Sequence, residues 1–343
     1  MKLTKIALGV ALAAGVTAAQ ADSLFFPFVV VSPSVTTLVS VIHHGNVVDG
    51  YNLAGVPYAG ENLHWQIVYK MAPAANNQTC DDHNYYLPTS AKDVQTVDLG
   101  GVISKPGDYG VLFNDPSFSN NWRAVTTSTG WGYDMLASAT ATGARAYLIV
   151  QDADKAMDMN KLSGFAMVYD YSAGASWGYK ADEVTRNVAA GDHNYVAAPG
   201  IQVHMMPFPE VFTRFFITPV SSAAPAQLYD NLNPNFGKMA TQAMLSADGA
   251  GAVAYNRDET ALSGHLADGV ICTGVLDVYE MLPELSKGKL ADGGWTYIVP
   301  SDMNASDGAV IAELEYGGLN TGRAGTLNGH PSKGAFNNAF MVE

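Results

Sequence analysis

The sequence predicts an all-β protein: an antiparallel β-sandwich, arranged as one large domain or two coupled β halves, with few short helices. Three observations carry that prediction. Short runs of Val, Ile, Thr, Phe and Tyr recur along the whole chain, which is the composition of strands. Clusters of Gly, Pro and Asn separate them, as tight turns require. Helical spacing of apolar residues is confined to two stretches, too few for a sheet whose strands alternate with helices.

Residues 1–21 read as a secretory signal. Lys2 and Lys5 form the positive end, Ile6 to Ala19 the apolar run, and Ala19-Gln20-Ala21 the small-x-small cleavage site before Asp22. The run is too short and too rich in Ala and Gly for a transmembrane helix, and no later window reaches the roughly 20 apolar residues that one needs. No cysteine follows the site, so a lipid anchor there is not expected. The mature chain is then read as an N-terminal β half, 22–185, and a C-terminal β half, 186–343.

The first mature segment is expected to nucleate the sheet around itself. Ser23 to Val31 and Val35 to Ile42 are two β-rich runs around a Ser32-Pro33-Ser34 break, and the second is apolar on both faces. Next, Leu63, Trp65, Ile67 and Tyr69 alternate with His64, Gln66, Val68 and Lys70, so a strand with its aromatic side inward and its polar side outward is expected. Residues 71–98 read as a polar loop carrying Cys80. Further strands are expected at Gly110 to Asn114, Ala144 to Gln151 and Phe165 to Tyr171, the last forming a hairpin with Ser176 to Tyr179. In the second half, the expected strands are Val211 to Val220, Val270 to Val278, Thr296 to Val299, Val310 to Tyr316 and a last run to Val342. The helical stretches are Asn235 to Ala247, capped by Asn235 and stopped by Gly249, and Asp152 to Leu162. The first and last strands, Ser23 to Val31 and Phe336 to Val342, are expected at sheet edges.

Charge narrows the partners. Loss of Lys2 and Lys5 with the signal leaves 16 Lys and Arg against 32 Asp and Glu. That excess repels polyanions, so nucleic acid is not an expected partner. Cys80 and Cys272, the two cysteines of an exported chain, are expected to form one disulfide. Closing so long a loop stabilises by about 5 kcal/mol in the chain-entropy model. The competing reading is a metal site on Cys80-Asp81-Asp82-His83, which lacks further ligands at a recognisable spacing.

The sharpest chemical motif is Gly174-Ala175-Ser176-Trp177-Gly178, a G-x-S-x-G. In a nucleophile elbow the serine sits between a strand and a helix, and Asp192, His193, His204 and His265 come later in the chain in the matching order. Ser176 with Asp192 and His193 is therefore the alternative, a serine hydrolase. Against it, Trp177 to Tyr179 reads as the outgoing arm of a hairpin. No catalytic residue is assigned in the leading reading. A third reading, an outer-membrane barrel, meets strong segments shorter than the roughly 9 to 11 alternating residues a spanning strand needs. No cofactor is expected. Calcium is the one ion left open, at Asp152, Asp154, Asp158 and Asn160, although Ala156 and Met157 stand where an EF-hand needs a ligand and a glycine. Tyr85, Tyr86, Trp122, Trp131 and Tyr133 could stack on sugars or cover the ends of the sandwich.

Ser23 to Phe28, Val35 to Ile42, Leu63 to Lys70, Ala175 to Tyr179 and Thr213 to Pro219, with a cysteine in each half, resemble a loose group of secreted, β-rich bacterial proteins of unassigned function. The resemblance implies an exported β-rich protein and no catalytic residue. The expectation is thus a non-enzymatic protein, structural or partner-binding and self-assembling as a homo-oligomer. It would be secreted, outside the cell or at its surface, with the periplasm as the alternative.

Overall fold

The computed structural model describes residues 23–44, 50–51, 57–58, 61–71, 75–90, 92–101, 103, 110–112, 118, 120–122, 143–152, 162–171, 175–184, 201–205, 207, 211–221, 240–247, 252–264, 267–277, 281–302, 307–317 and 340–342. The first part of the chain contributes β1 (Ser23–Val31), β2 (Val35–His43), β3 (Gly50–Tyr51), β4 (Pro57–Tyr58), β5 (Glu61–Met71), β6 (Asp81–Thr89), β7 (Val94–Asp98), β8 (Val111–Leu112), β9 (Ala144–Asp152), β10 (Leu162–Asp170), β11 (Ala175–Lys180) and β12 (Asp182–Val184). They form two five-stranded sheets, β12-β1-β9-β5-β6 and β11-β10-β2-β7-β8, and a short β3-β4 pair. All their ladders are antiparallel.

The two five-stranded sheets share one core. Leu24, Phe26 and Phe28 of β1 meet Val39 and Val41 of β2, Trp65 and Ile67 of β5, and Ala166 and Val168 of β10. Phe118 and Trp122, in a helical turn, stack on each other and pack on Trp65. Alternation explains the arrangement: every second residue of each strand faces the same side, so one buried stripe per strand closes the sandwich.

The second part adds β13 (Ile201–Met205), β14 (Val211–Ser221), β15 (Ala240–Leu245), β16 (Ala254–Asn256), β17 (Ala261–Leu262), β18 (Ala267–Ile271), β19 (Gly274–Asp277), α1 (Glu284–Lys287), β20 (Gly294–Asp302), β21 (Asp307–Gly317) and β22 (Phe340–Val342). One sheet runs β17-β16-β20-β15-β18, with β13 also on β20, and the other runs β19-β14-β21-β22. Phe215 and Ile217 of β14 face Leu245, Val270, Leu276 and Ile298 in a second core. Phe216, one position over, faces the opposite way and joins the first core, edge to face with Phe28. Thr218, on the same face as Phe216, donates its hydroxyl to Pro27 O at 3.2 Å.

The structure corrects five expectations. Where a helix is expected over Asn235 to Ala247, Ala240–Leu245 is β15, paired with β18 on one side and β20 on the other, and 235–239 lie outside the described residues. Its Ala- and Met-rich stripe suits a helix locally, but two flanking strands satisfy its backbone as a strand. The polar loop at 71–98 contains β6 and β7, whose backbones pair with β5 and β2. Val270 to Val278 is broken into β18 and β19, which belong to different sheets. The supposedly solvent-facing side of β5 is buried, with His64 at 1%, Gln66 at 5% and Lys70 at 4% exposure. Finally, β1 is not an edge. It lies between β12 and β9, and beyond β12 its free backbone groups are met by hydroxyls. Tyr179 accepts from Phe28 N at 3.3 Å and donates to Phe28 O, and Thr37 does the same for Val30 at 3.0 and 2.8 Å.

β5, β14 and β21 each run eleven residues, longer than the segments expected from the sequence. They lie in separate open sheets with filled interiors, as a sandwich requires. No helix among the described residues is long and apolar enough to cross a membrane.

Candidate functional site

Ser176 lies in β11, inside the hairpin that pairs Phe165 with Lys180 through to Asp170 with Ala175. It is exposed, directly opposite Tyr169, and β11 continues as strand to Lys180 with no helix N-terminus behind the serine. Asp192, His193 and His265 lie outside the described residues, and His204 is on β13, in the other half.

What surrounds Ser176 is a four-strand outer face. Across β7, β2, β10 and β11, the register gives Val94, Ile42 and Ser163 in one row, then Thr96, Ser40, Phe165 and Lys180. Asp98, Leu38, Met167 and Gly178 come next, then Thr36, Tyr169 and Ser176. Phe165 is 44%, Val94 45% and Tyr171 49% exposed. Gly178 makes room for Phe165, because a Cβ there would stand 2.4 Å from the tip of its ring. Tyr169 and Tyr171 stack at 6.4 Å. Burial, and then the charge of Asp98 and the neighbouring Tyr169, pushes the Tyr171 hydroxyl up to about 12, so the face stays neutral there at ordinary pH. Asp98 is itself buried and satisfied, accepting from the Thr36 hydroxyl and from Ile103 N.

At the margin of this face His44 Nε2 meets Ser163 Oγ at 2.6 Å, a Ser–His pair that 119 residues of separation hid from sequence reading. Ser163 is buried, and among the described residues no carboxylate bonds His44 to orient it as a base. The pair fastens the end of β2 to the start of β10.

A disulfide and a set of polar contacts clasp the two halves. Cys80 and Cys272 form the expected disulfide, closing 192 residues of sequence. Cys272 adopts a φ of 65°, turning the chain from β18 into β19. Beside it, Lys70 reaches from β5 and donates to the carbonyls of Ala75, Asn76, Gln78 and Ile271 at 2.9–3.2 Å. Burial, with a smaller effect of Arg145, pushes its ammonium down to about 8. Asn76 pairs with β19 as a strand would: its side chain accepts from Val275 N at 3.1 Å and donates to Val275 O at 2.7 Å. Its own carbonyl accepts from Ile271 N. The cysteine of the C-x-x-H is thus held in the disulfide, and His83 bonds the Tyr69 hydroxyl at 3.1 Å.

The second half carries a depression of about 540 Å³. His204 of β13 and Trp295 of β20, direct partners, line it, and Tyr255 of β16 pairs with Trp295 on its other side. Trp295 stacks on Tyr255 at 5.3 Å and meets Tyr297 edge-on. Arg257, Glu259 and Asp292 form the rim, with Arg257 Nη2 3.9 Å from Asp292 Oδ2. Gly294 lets β16 come close, since a Cβ there would stand 2.3 Å from Tyr255 O. Sequence reading missed this site because it is assembled from three separate runs.

Of the aromatics suggested for stacking on sugars, Trp122 is a core residue, Tyr85 is half-buried, and Tyr86 is exposed beside His64. Trp131 and Tyr133 are outside the described residues, as are Asp154, Asp158 and Asn160 of the calcium reading. Compared with protein-family models, with curated proteins and with solved structures, the chain matches none.

Proposed function

We propose that the protein is exported and works by surface contact, not catalysis, with a second copy of itself as the partner. The observation that carries this reading is the outer face of β7, β2, β10 and β11. It presents exposed Phe165, Tyr171 and Val94 on a partly apolar sheet surface that also carries the exposed Lys180. Apolar groups arrayed on a sheet face are unfavourable in water, and covering them lowers the free energy. A second sheet covers such a face at about 10 Å, and a two-fold arrangement of identical faces is complementary to itself. The disulfide and the acidic excess suit a place outside the inner membrane, in the medium, at the surface or in the periplasm.

Ser176 in this reading is a surface residue of the contact face. A fluorophosphonate serine probe tests the catalytic alternative directly. The expected result is no labelling of the folded protein. Stoichiometric labelling at Ser176 or Ser163, lost in Ser176→Ala or Ser163→Ala, overturns the reading in favour of a hydrolase.

A further inference from the structure

We infer that the depression between β13, β20 and the β16–β17 turn is a binding site for a neutral saccharide, independent of the contact face on the first half. The chemistry of such a ligand is specific: C–H groups on one face of a pyranose ring, and hydroxyls around its edge that both donate and accept. Trp295 supplies the counterpart of the first. Its indole is half-buried and braced by Tyr255 on one side and Tyr297 at its edge, so it is held as a rigid wall. The negative face of an aromatic ring attracts the partially positive C–H groups of a sugar.

The rim supplies the second. Glu259 and Asp292 accept, the Arg257 guanidinium donates, and the exposed imidazole of His204 stands in the row beside Trp295. The rim turn is also fixed in shape. Asn256 Oδ1 accepts from Thr260 N at 2.7 Å, Asn256 Nδ2 donates to Lys289 O at 3.1 Å, and Glu259 sits at a φ of 59°. A non-glycine residue held in the left-handed region fixes the direction in which its side chain leaves the turn. The volume, about 540 Å³, falls within the range of small-molecule sites.

Charge selects the class. The chain carries a formal charge of −14, which disfavours an anionic ligand. A cation would meet Arg257, and Asp292 already faces that guanidinium. A neutral polyol can use both signs of the rim at once.

The test is isothermal titration calorimetry on the mature, disulfide-intact protein with four probes: cellohexaose, maltohexaose, chitohexaose and mannohexaose. Choline chloride and heparin serve as cationic and anionic controls. At least one neutral oligosaccharide is expected to bind, more tightly than either control. Trp295→Ala should weaken it at least tenfold. His204→Ala and Glu259→Ala, at exposed positions that leave the core intact, should weaken it about threefold or more. Phe165→Lys, on the other half, should bind as the unsubstituted protein does, so failure of the contact reading leaves this one standing. The inference is overturned if none of the four binds at millimolar concentration, if binding survives Trp295→Ala, or if choline or heparin binds the depression in their place.

Discussion

Lys70 shows how a single side chain can be misread from its strand and still carry much of the molecule. Alternation along β5 places it on the side opposite Trp65 and Ile67, and a lysine on that side reads as solvated. Instead it is 4% exposed and shares three ammonium protons among four carbonyls, one of them Ile271 O in the other half. Lys70→Met keeps the apolar stem and removes the donors, and should cost about 1–3 kcal/mol because buried carbonyls lose a partner. The pH dependence has a definite sign. The folded chain holds this proton with a pKa of about 8 against 10.5 for the free side chain, so it releases the proton first as pH rises. Over that window the unfolded chain binds more protons, and the contribution of Lys70 to stability increases with pH. Melting temperatures at pH 7 and pH 9.5 should show the advantage of the unsubstituted protein over Lys70→Met growing. An advantage that stays flat or shrinks would contradict the burial of a charged ammonium.

At the scale of elements, the strands that were legible are those whose own residues settle their state. β1, β2, β5, β9 and β14 are dense in β-branched and aromatic residues, and the β10–β11 hairpin has clear alternation. The illegible ones depend on partners far away in sequence. β6 reads Asp-Asp-His-Asn-Tyr-Tyr-Leu-Pro-Thr and β15 reads Ala-Thr-Gln-Ala-Met-Leu, and neither composition demands a strand until a neighbouring edge offers its hydrogen bonds. The same holds for the candidate sites. Ser176 was visible as a motif, whereas the outer face around it and the His204–Trp295–Tyr255 row exist only through register between strands. The break between β18 and β19 was hidden for another reason. Val270 to Val278 is apolar enough for one strand, but Cys272 is bound to Cys80 and turns the chain at a positive φ. Cys272→Ser should therefore loosen that corner as well as freeing the unfolded chain. A fall in melting temperature on the order of 10 °C is expected, reproduced by reducing the unsubstituted protein. Equal melting temperatures for the oxidised, reduced and substituted forms would show that the clasp holds without the bond.

The described residues form two pairs of sheets and the short β3–β4 pair, the two halves joined by a polar clasp and a small apolar contact. β14 is shared between them, Phe215 and Ile217 filling one core while Phe216 enters the other. The edge of β1 that could have recruited another strand is filled by Tyr179, Thr37 and Thr218, so association through that edge is closed. Among the described residues of the first half, the outer face around Phe165 brings several exposed apolar side chains onto one surface, which points to association face to face. Sedimentation velocity of the mature protein across a hundredfold range of concentration tests it most directly. The expected result is a reversible shift from monomer to dimer or larger species that is abolished in Phe165→Lys, a substitution at an exposed position that leaves the melting temperature unchanged. A protein that sediments as a monomer throughout, or one whose association is indifferent to Phe165→Lys, would contradict it.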